Sequence, residues 1–196
     1  TQAVKKKGNV LKVRVWDPTD QGEQPCGKQH VKPHGIWYTP VTGIWQTVWL
    51  EPVYENYIAD LKIIPDIDNH KVMVIPAIVS NMSKKVKVTV SENPNIAYAD
   101  GHNPCAGATA VSNNGEAVEV PMPVDAKLWS PDNPYLYNIE IVLYQADKVV
   151  DRVVGYFAMR KFSTEKDENG IVRLMLNNEP IFMFGPLDQG WWCDGL

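Results

Sequence analysis

The chain has 196 residues, 44% of them hydrophobic and 21% charged, enough for one large domain or two small ones with usable cores. A formal net charge of −4 and one short basic run, Lys5-Lys6-Lys7, leave no electrostatic footprint for nucleic acid or an anionic membrane. No apolar run is long enough to cross a bilayer as a helix, and Thr1-Gln2-Ala3-Val4 leads into lysines and a strand, not a signal peptide.

Alternation with period two dominates from the start. Leu11, Val13 and Val15 share one face of an expected strand, and Lys12, Arg14 and Trp16 share the other. Cys26, His30 and His34 come next, at a spacing that could ligate a metal. Pro33 and Gly35 argue against the helix that would bring both histidines to one face, which leaves only a loop-built site open. Trp37 and Tyr38, in His34-Gly35-Ile36-Trp37-Tyr38, bring two aromatic rings to a loop and read as a structural aromatic corner. Thr47 to Val53 is a second expected strand, ending at Pro52. Two strands cannot make a core, so they either pack on the strands beyond Tyr54 or belong to a sheet whose remaining strands are missing, and their unpaired edges invite pairing with another copy.

From Tyr54 a new series begins. Ala59, Leu61 and Ile63 alternate, Pro65-Asp66-Ile67-Asp68-Asn69 is turn chemistry, and Val72, Val74, Ile78 and Val79 continue the pattern. Pro76 inside that run predicts an edge strand or a bulge, since proline cannot donate to a ladder. Val86, Val88 and Val90 make the next strand, and residues 91–115, rich in Asn, Pro, Gly and Asp, read as a long irregular loop or a weak hairpin. Strands resume at Val118, Val120 and Met122, then at Ile139, Ile141 and Leu143. A turn at Ala146-Asp147-Lys148 leads to Val149–Val154. About seven short strands between 54 and 162, with no window at helical period, predict an immunoglobulin-like sandwich. Within it lies Leu128-Trp129-Ser130-Pro131-Asp132-Asn133-Pro134-Tyr135-Leu136-Tyr137, a connection stiffened by two prolines and loaded with aromatic surface.

Beyond it, Glu165–Gly170 is a charged turn and Ile171–Leu176 a strand. Asn177-Asn178 suits the positive φ of a two-residue hairpin, and Pro180–Phe184 is the expected return. The last residues are a dense cluster of Trp, Asp and Gln, unusual for a domain end, and suggest a piece of a longer protein. Cys26, Cys105 and Cys193 form no disulfide framework, although one bridge plus a free thiol stays open, so the compartment is undetermined.

The spelling W-S-P-x-x-P-x-L-Y at 129–137 resembles the immunoglobulin-like domain of glycoside hydrolase family 2, the β-galactosidase and β-glucuronidase family. Gly8–Val15 and Gly43–Leu50 look like the end of its sugar-binding-type jelly roll. Gly155-Tyr156-Phe157-Ala158-Met159-Arg160-Lys161 is similar to its G-F-R segment, stretched by insertion. Leu176–Gly185 resembles the hairpin opening its (β/α)8 barrel, with Gly185-Pro186-Leu187-Asp188-Gln189 where Arg or Asn-Arg-His is usual.

The resemblance implies an all-β chain in three parts: residues 1–53 from a jelly roll, 54–162 as sandwich, and 163–196 as a truncated barrel start. It implies a retaining exo-glycosidase as parent, β-galactosidase before β-glucuronidase or β-mannosidase, acting on a terminal β-galactoside or related sugar. Such enzymes use two carboxyl groups about 5 Å apart. The family's two glutamates would lie beyond Leu196, so this piece is expected to hold no catalytic residue and to act as scaffold. Asp188, Gln189, Trp191, Trp192 and Asp194, just after the first barrel strand, are the expected sugar contacts beside Trp37 and Tyr38. Magnesium or sodium belongs, by the same implication, to the parent and not to this piece, and export to the periplasm or outside is the preferred location. The competing reading is a stand-alone carbohydrate-binding or adhesive sandwich.

Overall fold

The computed structural model describes residues 4–44, 46–81, 84–92 and 107–187. The described residues fall into two compact units, one within 4–51 with 185–187 and one within 52–184.

The larger unit is built on seven antiparallel strands: β1 (Tyr57–Asp66), β2 (Lys71–Val79), β3 (Lys85–Ser91), β4 (Ala108–Ser112), β5 (Val118–Pro121), β6 (Tyr137–Gln145) and β7 (Lys148–Phe157). They make two sheets, ordered β1-β2-β5 and β4-β3-β6-β7. Alternation decides which side chains face inward. Val72, Val74, Val118 and Val120 from one sheet meet Val86, Val88, Val90, Tyr137, Ile139, Ile141 and Leu143 from the other, and all are buried. No helix occurs among the described residues. The expected all-β sandwich is present.

Local chemistry sets the details of register. A bulge between Ile58 and Asp60 leaves Ala59 exposed, so Ile58, Leu61 and Ile63 all reach the core although they do not alternate evenly. Pro76 sits where β2 has outrun β5, whose pairing stops at Val74, so its missing N–H costs no rung on that side. Two hydrogen bonds tie the sheets together at one edge. The Ile58 N–H donates to Asp151 Oδ2 at 2.7 Å, and Asn56 Nδ2 donates to Gln145 Oε1 at 3.4 Å. On the outward side of the larger sheet Thr89, Asn138, Glu140 and Val142 are also buried, and Glu140 is compensated by an ion pair with Arg152.

A third, small sheet comes next in the chain, with β8 (Phe162–Lys166), β9 (Val172–Leu176) and β10 (Glu179–Pro180) in the order β10-β9-β8. Its turns are those the residues favour. Asp167 caps the β8–β9 turn by accepting from the N–H groups of Asn169 and Ile171, and Asn177 and Asn178 adopt φ of 54° and 69°.

Three expectations are corrected. Residues 10–16 and 47–53 form no strand, because alternation gives a chain two faces but not a hydrogen-bonding partner. Val10, Leu11, Val13, Val15 and Trp16 are accordingly exposed. Of the irregular loop or weak hairpin anticipated over 91–115, residues Ala108–Ser112 form β4, paired not within that stretch but with β3 from Val86 to Val90. Ala, Thr and Ser give it little hydrophobic signal, and a Cβ on Gly107 ahead of it would lie 1.8 Å from the Val90 carbonyl oxygen. The return strand expected over Pro180–Phe184 shrinks to the two residues of β10, extended only by the bond from Ile181 N–H to Leu174.

The packing yields a direct test. Ile141→Ala, at a fully buried central rung, lowers stability by about 2–5 kcal/mol in urea unfolding. Val111→Ala, half-exposed on the edge strand β4, changes it by no more than about 0.5 kcal/mol.

Candidate functional site

The sequence-predicted residues fall into two groups. Asp188, Gln189, Trp191, Trp192 and Asp194, together with Cys105 and Cys193, lie outside the described residues. Trp37 and Tyr38 are described and half-buried in the smaller unit. A parallel bridge joins Gln29 to Tyr38, with the Tyr38 N–H donating to Lys28 O at 2.6 Å and the His30 N–H to Tyr38 O at 3.1 Å. That bridge brings the rings of His30 and Trp37 to 4.3 Å between centroids. His30 Nδ1 in turn donates to Asp20 Oδ2 at 2.8 Å. Hydrogen bonds from the Gln21 side chain first, then from the Val31 N–H and His30, hold the Asp20 carboxyl below the usual carboxylate range. The arrangement is a carboxylate-oriented imidazole against an indole, which could relay a proton or pack a ligand face.

Cys26 is a free thiol whose Sγ contacts Gly27 O, and His34 Nδ1 is bonded to Lys32 O. No three of His, Cys, Asp and Glu come together as metal ligands among the described residues, so the Cys26–His30–His34 spacing does not gather a site.

The larger unit contains residues that sequence reasoning did not single out as a site. The Leu128–Tyr137 connection runs along the end of the sandwich, and the Trp129 N–H donates to Met159 O at 2.9 Å. Asn177 Nδ2 donates to Trp129 O at 2.9 Å. Held this way, Trp129 faces Arg160, whose guanidinium lies 4.6 Å from its ring centroid and 5.3 Å from that of Phe162. These three line a pocket of about 390 Å³ with Ile63, Leu136 and Tyr156. Both segments stand out in the sequence as spelling, W-S-P and the stretched G-F-R. Their meeting is a long-range contact that neither spelling encodes.

Beside the pocket is a polar clamp. Lys161 Nζ donates to Asp68 Oδ2 at 2.6 Å and to Asn178 Oδ1 at 2.9 Å, while Asn178 Nδ2 donates to Asp68 Oδ1 at 2.8 Å. The triangle links the β1–β2 turn to the β9–β10 turn. Lys161 and then Asn178 hold the Asp68 carboxyl below its ordinary value, and Asp68 raises Lys161.

The sequence profile described as glycosyl hydrolases family 2 matches residues 56–160, from just ahead of β1 to Arg160. An antiparallel sandwich running straight into a separate hairpin is thus a module of a carbohydrate-cleaving family. The chain belongs to glycosyl hydrolases family 2. A protein of Formosa agariphila provisionally named a β-glucuronidase is 23% identical over 163 residues, 83% of this chain and 19% of that protein. Among solved structures, the β-glucuronidase of Ruminococcus gnavus is similar with a TM-score of 0.48 and 20% identity, over 67% of this chain and 19% of its own. The β-D-glucuronidase of Dictyoglomus thermophilum gives 0.45 and 26%, over 67% and 19%. The chain therefore spans about a fifth of the length of these relatives.

The clamp predicts a pH dependence. A depressed carboxyl contributes stability that is complete above its unfolded value, near 4, and is lost as pH falls through the lower folded value. Unfolding of the chain in urea therefore becomes easier below about pH 4. Asp68→Asn lowers the midpoint at neutral pH and flattens the acid limb relative to the unaltered chain.

Proposed function

We propose that this chain is the supporting part of a retaining glycoside hydrolase, setting the piece before it against the piece after it and supplying no catalytic group itself. The family match over the sandwich is the observation that carries this reading. Residues 1–53 are then the end of a jelly roll, 54–162 the spacer, and 163–196 the start of a barrel. The two carboxyl groups of the reaction, one acid/base and one nucleophile, come from residues outside this chain. Asp188, Gln189, Trp191, Trp192 and Asp194 remain the proposed sugar contacts, with Trp37 and Tyr38.

The resemblance in the sequence puts β-galactosides first. The name of the Formosa agariphila relative favours β-glucuronides instead, and we take a terminal β-glucuronide as the substrate class. Support for a scaffold over a stand-alone binding module comes from how the carboxylates are used. Asp68, Asp151 and Asp167 are each engaged in structural hydrogen bonds at turns and edges. Self-association of the isolated chain belongs to the same reading, because Val10, Leu11, Val13 and Val15 leave large apolar side chains exposed.

The experiment is a turnover assay on the purified 196-residue chain with nitrophenyl β-glucuronide and nitrophenyl β-galactoside. Release of nitrophenol at the rate of the protein-free blank is the expected result. Turnover above the blank, removed by heat denaturation, overturns the scaffold reading.

A further inference from the structure

The pocket at Arg160 carries chemistry that a spacer does not use. The partners of its guanidinium among the described residues are two ring faces, Trp129 and Phe162, and no acidic residue lines the cavity. The other walls, Ile63, Leu136 and Tyr156, are apolar or aromatic. A guanidinium stacked on rings keeps its N–H edges free, and those edges form the planar fork that fits a carboxylate with two parallel hydrogen bonds. The stacking rings also preset the fork's orientation, so little freedom is lost when an anion arrives. Trp129 is itself fixed by hydrogen bonds at both of its peptide groups, to Met159 and from Asn177.

We propose that this pocket binds a uronate sugar, its carboxylate on the Arg160 fork and the C–H face of its ring on the exposed phenol face of Tyr156. The cavity, about 390 Å³, lies within the range of small-ligand sites. A neutral hexose would keep the stacking and lose the ion pair. A simple carboxylate would keep the ion pair and lose the stacking. The combination selects acidic sugars, whichever glycoside the family's reaction consumes.

The test titrates the 196-residue chain with sodium glucuronate, glucose and sodium acetate at matched ionic strength, reading backbone and indole N–H shifts by NMR. Saturable shifts centred on Trp129 and Arg160 with glucuronate, and much smaller ones with glucose and acetate, are expected. Arg160→Gln should weaken glucuronate binding roughly tenfold while the chain keeps the dispersed NMR spectrum of the folded protein. Equal response to glucose, glucuronate binding indifferent to Arg160→Gln, or no saturable shift at millimolar glucuronate overturns the proposal. The last outcome would leave the pocket as a socket for polypeptide. Should Arg160→Gln fail to fold, Arg160→Lys decides: it keeps the charge and loses the fork, so it must bind glucuronate more weakly, and equal binding overturns the idea.

Discussion

The junction between sandwich and hairpin depends on the side chain of one asparagine. Asn177 donates through Nδ2 to Trp129 O, accepts through Oδ1 from the Lys161 N–H, and donates its own N–H to Lys161 O. It does this from the left-handed region, at a φ of 54°. Aspartate would lack the donor, glycine the side chain, and a branched residue the backbone freedom. From that hub the Leu128–Tyr137 connection, the residues leaving β7 and the β9–β10 hairpin are all held at once. The same hub presents Trp129 to Arg160, so the geometry of the pocket is inherited from a turn.

The prolines of the W-S-P-x-x-P segment make this economical. With φ already restricted at Pro131 and Pro134, little conformational entropy remains to be lost when Ser130 and Asn133 close their reciprocal backbone bonds at 3.0 and 3.1 Å. Tyr135 then meets Tyr137 edge-on at 5.1 Å, and Tyr137 stacks on Phe157 at 5.7 Å. Burial of the Tyr137 ring pushes its hydroxyl above the ordinary phenol value, in keeping with a group that packs and does not titrate.

The sandwich was legible because period two is a direct image of a half-buried strand, and Val72, Val74, Val86, Val88, Ile139 and Ile141 repeat it without interruption. β4 was not, since Ala108–Ser112 is strand by virtue of its neighbour and not of its own residues. Residues 10–16 show the converse: a convincing pattern with no ladder attached to it. The Ala146–Asp147 hairpin, with φ of 45° and 60°, puts in the left-handed region an alanine that turn preferences would not select; the surrounding β6–β7 ladder holds it there. For the candidate sites the limit is distance along the chain. Trp37 was visible as an aromatic in a loop, but its pairing with His30 and Asp20 arises from a bridge between Gln29 and Tyr38. Arg160 and Trp129 are thirty-one positions apart in the numbering and meet only once β7 has crossed the sandwich.

The bond between Ile58 and Asp151 has a mechanical side. It places the beginning of β1 beside the early part of β7, and six further residues of β7, rising about 20 Å, carry the chain to the opposite end at Phe157. The first and last strands lie in different sheets. Tension along the polypeptide would thus slide one sheet over the other across interlocked valines and isoleucines, a load shared by the whole interior, instead of unzipping a hairpin rung by rung.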